Sequence, residues 1–168
     1  MKRIYEGRVF SVEVGTRRFP NGSEHQVEIV RHAPSVVLIP IEDDGRIVLI
    51  QQYRAPLDRV TWEFPAGRVD AGETAEAAAR RECEEEIARV PQKLERIRGL
   101  YPSPGFCDEE LIFFRVSGLR APAADSQHKP DEDEDITATS VTLTEARAMV
   151  ERGQIVDLKT AYGLTLLG

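Results

Sequence analysis

Glu82, Glu84, Glu85 and Glu86 crowd together inside the stretch GRVDAGETAEAAARRECEEEIARV, which runs from Gly67 to Val90. Like charges at helical spacing repel. The cluster is therefore either a face held in water, as most charge runs are, or a set of ligands for something positive. On an α-helix, residues four apart lie one above the other. That spacing brings Glu82 and Glu86 together, sets Glu85 beside them and turns Glu84 away. Carboxylate oxygens suit hard cations, and magnesium takes carboxylates while keeping waters and sharing itself with substrate phosphates. The preceding PAG offers a backbone carbonyl at close range, because Gly67 leaves room.

The elements that must position these groups can be read outward from the cluster. Thr74 is an N-cap candidate whose hydroxyl can accept from free backbone N–H groups, and the alanines after it favour helix. Pro91 marks the stop, so the spacing predicts a helix reaching almost to it. Ala79, Cys83, Ile87 and Val90 share its core-facing side. Upstream, RVFSVEV and HQVEIVR alternate around a PNGS turn, as strands of a hairpin do. SVVLIPI and RIVLIQQY, joined by EDDG, are unbroken apolar runs that fit strands buried on both faces. TWEFPAG reads as one short strand ended by Pro65 and Gly67. Downstream, LERIRGLY, ELIFFRV and ITATSVTL read as strands, and LTEARAMVERG and DLKTAYGLTLL as helices. SPGFCDE is a loop, and RAPAADSQHKPDEDED is a long polar loop of the kind that often carries function. Strands on both sides of an acidic helix, with helices at the end, predict an α/β sandwich.

The whole chain sets outer limits. Its 168 residues suit one domain with a small appendage, and 41% hydrophobic residues suffice for a core. A net charge of −7 argues against broad binding of nucleic acid or anionic membrane, both of which need clustered Lys and Arg. Two cysteines and three histidines form no zinc-like pair. The N-terminus has no apolar targeting core and no run matches a membrane span, so the expectation is a cytoplasmic protein.

The spacing from Gly67 onward resembles the Nudix box, Gly-x5-Glu-x7-Arg-Glu-U-x-Glu-Glu-x-Gly-U, with U a bulky apolar residue. Gly67, Glu73, Arg81, Glu82, Cys83, Glu85 and Glu86 fall on it in register. Ala88 and Arg89 depart from the final Gly and apolar position, which puts the exit from the helix in question. The resemblance implies an α/β Nudix fold, a mixed β-sheet sandwiched between helices, and hydrolysis of a nucleoside diphosphate linked to another moiety. QQYRAPLDRVTWEFPAG, SPGFCDE and PDEDEDI further resemble the ADP-ribose pyrophosphatase branch, over most of the chain from about Val27. That branch cuts ADP-ribose to AMP and ribose 5-phosphate and typically forms homodimers whose N-terminal strands cross to the partner. Residues 1–30 are thus expected to be a dimerising strand region and residues 31–168 the hydrolase domain.

The resemblance also assigns roles. Glu82 and Glu86 match the magnesium-holding glutamates, Glu85 a further ligand, and Ala66 the backbone carbonyl ligand; manganese is a substitute metal. Glu73 and Arg81 brace the loop and helix. Glu132 is the candidate general base and Glu134 the candidate extra ligand, although a one-residue shift of the loop would exchange them. Arg54 matches an arginine that meets the pyrophosphate, and Glu109 a glutamate that recognises substrate. Ser103, Pro104 and Gly105 shape its loop, and Gly67, Ser103 and Gly105 are expected among the substrate-binding residues. Trp62 is a core residue or a base-stacking one. Two rival readings remain: a Nudix hydrolase of another nucleotide (another sugar conjugate, NADH or a deoxynucleoside triphosphate), and a non-catalytic nucleotide-binding module. Retention of Glu82, Glu85 and Glu86 argues against the latter.

Overall fold

The structure, a computed structural model, describes residues 1–124 and 136–168. Three strands, β1 (Lys2–Glu6), β2 (Phe10–Arg18) and β3 (Glu24–His32), form a separate antiparallel sheet. The main sheet contains β4 (Ser35–Ile41), β5 (Ile47–Arg54), β6 (Arg59–Glu63), β7 (Ala66–Arg68), β8 (Val90–Leu100), β9 (Leu111–Arg120) and β10 (Ile136–Val141). Its order is β10-β5-β4-β9-β8, with β6 paired to β5 and β7 to β4. The β4–β9 pair is parallel and the others antiparallel, so the sheet is mixed. The helices are α1 (Ala75–Ile87), α2 (Leu143–Glu151) and α3 (Leu158–Thr165).

Strand periodicity explains the layering. Side chains alternate across a strand, and in β4 the even residues Val36 and Leu38 join Ala79, Cys83 and Ile87 of α1. The odd residues Val37 and Ile39 join Ala146, Met149 and Leu164 of α2 and α3. β5 divides in the same way, Val48 and Ile50 against Ile47 and Leu49. A run that is apolar at every position is thus a strand covered on both faces, as expected. Trp62 packs against the α2/α3 core. Among the described residues, no helix is long and apolar enough to cross a membrane.

Two sequence expectations are corrected. TWEFPAG is not one strand: β6 ends at Glu63, and β7 starts at Ala66 on a different neighbour. Pro65, which has no N–H to donate, lies at the break, and its carbonyl accepts from Leu38 N–H at 2.8 Å. Nor does α1 reach Pro91. It stops at Ile87, Ala88 takes the left-handed conformation (φ 51°, ψ 46°), and Val90 and Pro91 already belong to β8. Ala88 N–H and Arg89 N–H close the end on the carbonyls of Glu84 and Cys83. The exit is a left-handed cap of the kind glycine usually makes, built here with alanine.

Candidate active site

α1 begins where expected: Thr74 Oγ1 accepts from Ala77 N–H at 3.1 Å. This fixes the phase of the helix, so Glu82 and Glu86 lie on its sheet-facing side and are buried, while Glu84 and Glu85 are half-buried. Glu86 accepts from Ala66 N–H at 2.8 Å, tying the helix to β7. Gly67 lies against Glu82 so closely that a β-carbon there would run into the carboxylate.

Arg81 organises the acids. Its guanidinium donates to Glu82 at 2.7 Å, to Glu85 at 2.8 Å, to both oxygens of Glu73 at 3.2 and 3.1 Å, and to the Arg68 carbonyl at 2.9 Å. Burial opposes its charge, but the Glu73 hydrogen bonds and the neighbouring Glu82 charge outweigh that and push its pKa above the usual arginine value. Glu73 also accepts from Asp70 N–H at 3.1 Å. Glu73 and Arg81 are therefore a brace between the loop and the helix. Among the described residues, no three Asp, Glu, His or Cys side chains are already grouped as a cation cage; Glu82 and Glu85 both accept from Arg81. The box donors nevertheless suit a hard cation: Glu82, Glu85 and Glu86 are carboxylates, and the room above Gly67 is what brings Glu82 close to β7.

These groups border a cavity of about 770 Å³. Arg54, Ala66, Gly67, Glu82, Glu85 and Glu109 line it. Glu86 stands behind Ala66 rather than on the wall. Ser103 and Gly105 do not reach it. The Ser103 carbonyl instead accepts from Phe106 and Cys107 N–H, so Ser103 shapes the loop, and Gly105 is exposed. Glu132 and Glu134 lie outside the described residues.

The loop carrying Glu109 is fastened to β3. Val30 N–H donates to the Phe106 carbonyl at 2.7 Å, and Asp108 N–H donates to the Val30 carbonyl at 3.2 Å. Arg31 donates to Asp108 at 2.8 Å and to Glu13 at 3.0 Å, and His32 N–H donates to Asp108 at 2.9 Å. Glu109 itself accepts from Ser35 Oγ at 2.8 Å.

Sequence reasoning missed a second cluster on the wall. Glu63, at the end of β6, is buried and takes Arg54 through both oxygens, at 2.7 and 2.6 Å. Thr61 Oγ1 donates to it at 2.5 Å, and Lys159 of α3 donates to it as well. Burial raises the Glu63 pKa, but Arg54 and Lys159 more than offset this and bring it down to about 2. Lys159, Asp157, Arg8 and Arg68 also border the cavity. Asp157 signals itself only as the N-cap of α3, and nothing in DLKT announces a partner 96 residues away.

Acidic helix, glycine-backed carboxylate and flanking sheet in this arrangement are Nudix features, and residues 31–159 match the NUDIX domain family. The chain belongs to that family and is a Nudix hydrolase. It is 37% identical over 166 residues to the ADP-ribose pyrophosphatase of Bacillus subtilis (strain 168), spanning 99% of this chain and 89% of that one. It is 34% identical over the same length and shares to the methanol dehydrogenase activator of Bacillus methanolicus. A solved structure described as an ADP compounds hydrolase superposes with a TM-score of 0.83 at 23% identity, covering 99% of this chain and 88% of that chain, which shows the shared fold.

Proposed function

We propose that the protein hydrolyses the pyrophosphate bond of a nucleoside diphosphate sugar, with ADP-ribose giving AMP and ribose 5-phosphate as the principal reaction. The observation that carries this reading is the common cavity of Glu82, Glu85, Arg54 and Glu109. Nearly full-length kinship to an ADP-ribose pyrophosphatase supports the choice of substrate.

Glu82, Glu85, Glu86 and the Ala66 carbonyl would hold magnesium, with manganese as a substitute. Such a cation neutralises phosphate charge and lowers the pKa of water. The chain's own residues do the rest. Arg81 holds Glu82 and Glu85 from one side and aims them. Arg54 offers a planar cation to phosphate oxygens. Glu109, fixed by Ser35, faces the substrate. Glu132 is the proposed general base and Glu134 the further ligand. Ser103 and Gly105 set the turn that delivers Glu109.

Residues 1–30 are read as a dimerising region on the domain 31–168. Ile4, Tyr5 and Phe10 leave the N-terminal sheet 60%, 51% and 40% exposed, and such apolar patches mark interfaces. The homodimer is expected to work in the cytoplasm, where the two free thiols would stay reduced, without nucleic acid or membrane as partner.

A panel of nucleoside diphosphate sugars, NADH and deoxynucleoside triphosphates, assayed with magnesium for released nucleoside monophosphate, tests the reading. The highest kcat/KM is expected for ADP-ribose, with activity lost in chelator and restored by magnesium or manganese. A higher kcat/KM for a triphosphate would overturn the substrate assignment.

A further inference from the structure

The two cations on Glu63 are not equivalent. The Arg54 side chain is 38% exposed beside the cavity, whereas that of Lys159 is 12% exposed. Glu63 takes the Nε–Nη2 edge of the guanidinium, which leaves a phosphate only the Nη1 end. To turn that two-pronged edge toward a phosphate, Arg54 must leave Glu63, and a buried carboxylate stripped of its partner is strongly destabilising. Here each oxygen keeps a donor when Arg54 departs. Oε1 retains Thr61 Oγ1, and Oε2 retains Lys159 Nζ.

Lys159 is held for this task from behind. Asp157 Oδ2 lies 3.1 Å from Lys159 Nζ. The same oxygen accepts from Thr160 N–H at 2.9 Å and Thr160 Oγ1 at 2.6 Å, and that hydroxyl accepts from Phe64 N–H at 2.7 Å. The first turn of α3 is thus latched to the residue after Glu63.

We propose that Lys159 is a positioning residue: it replaces Arg54 as the counter-ion of Glu63 and so releases the Arg54 guanidinium to the pyrophosphate. This rests on the pyrophosphate reading of the cavity. Arg54 alternates between Glu63 and the substrate, while Lys159 stays in place and does not touch it. Without Lys159, the full attraction of Glu63 would fall on Arg54 and hold it off the substrate.

The test uses the full-length protein with Lys159→Met, Lys159→Arg, Glu63→Gln and the Lys159→Met/Glu63→Gln double variant. Kinetics with ADP-ribose and magnesium are read beside calorimetric binding of its non-hydrolysable α,β-methylene analogue. Lys159→Met should raise KM and Kd about tenfold or more, the scale of one charge-assisted hydrogen bond, with a much smaller change in kcat. Lys159→Arg should bind like wild type. Adding Glu63→Gln to Lys159→Met should restore most of the affinity, because a neutral side chain no longer traps Arg54. Glu63→Gln alone should bind at least as tightly as wild type, and this stays measurable if Lys159→Met fails to fold. Three results would overturn the proposal: unchanged KM and Kd in Lys159→Met, a double variant as weak as Lys159→Met, or weakened binding in Glu63→Gln alone. Failure of the wild type itself to cut ADP-ribose would instead sink the substrate reading.

Discussion

The Glu82 carboxylate occupies the space that a β-carbon on residue 67 would take. The glycine that opens the box and the glutamate fifteen positions later are therefore one steric unit. Gly67→Ala should displace Glu82 while leaving the two cores intact. Losses of this supporting kind cost roughly 10–100-fold in metal affinity. Magnesium titration of activity, paired with thermal denaturation, checks it; an unchanged activation curve would refute the idea.

Glu86→Gln keeps an acceptor for Ala66 N–H and removes only the charge. Turnover should fall roughly a hundredfold or more if that charge serves a metal, with melting temperature little altered. Glu84→Gln is the control, since Glu84 points away from the cluster by about 160° around the helix. Equal rates in the two variants would reduce the quartet to a solvated face.

Glu63 gives the fold a pH dependence of known sign. Its folded pKa is about 2, against an ordinary value of 4.5. A depressed carboxylate stabilises above its unfolded pKa, and that stability is lost as pH falls from about 4.5 toward 2. The shift corresponds to a contribution on the order of 3 kcal/mol. Urea denaturation at pH 5 and pH 3 should show a steeper loss in wild type than in Glu63→Gln. Parallel losses would contradict it.

Ala88 offers a simple gain. An L-residue in the left-handed region is strained where glycine is not, and Ala88 is exposed at φ 51°. Ala88→Gly should stabilise the protein by about 1 kcal/mol, net of the greater unfolded-chain entropy of glycine. The denaturation midpoint should rise; a fall would mean that the alanine methyl contributes more than its strain costs.

What the sequence made legible was local. An N-cap, a period of 3.6 and seven spaced residues located α1 and its acids, and unbroken apolar runs located the doubly covered β4 and β5. The end of α1 was obscure because Ala88 gives no left-handed signal, although glycine would have. TWEFPAG concealed two strands because a change of partner at Pro65 leaves no mark on alternation. The Glu63–Lys159 contact and the place of Arg8 on the cavity wall join residues far apart in the chain, and only the finished fold brings them together.

The fastening of the Glu109 loop to β3 has a consequence for how the molecule can be cut. The family boundary falls at residue 31, yet the backbone bonds of Val30 to Phe106 and Asp108 cross it. A chain trimmed to begin at residue 31 would keep every box residue but lose the strand against which the loop is laid. Its amide at 108 would exchange with solvent far faster than in the whole protein, and the trimmed chain would carry its box acids beside an unfastened Glu109 loop.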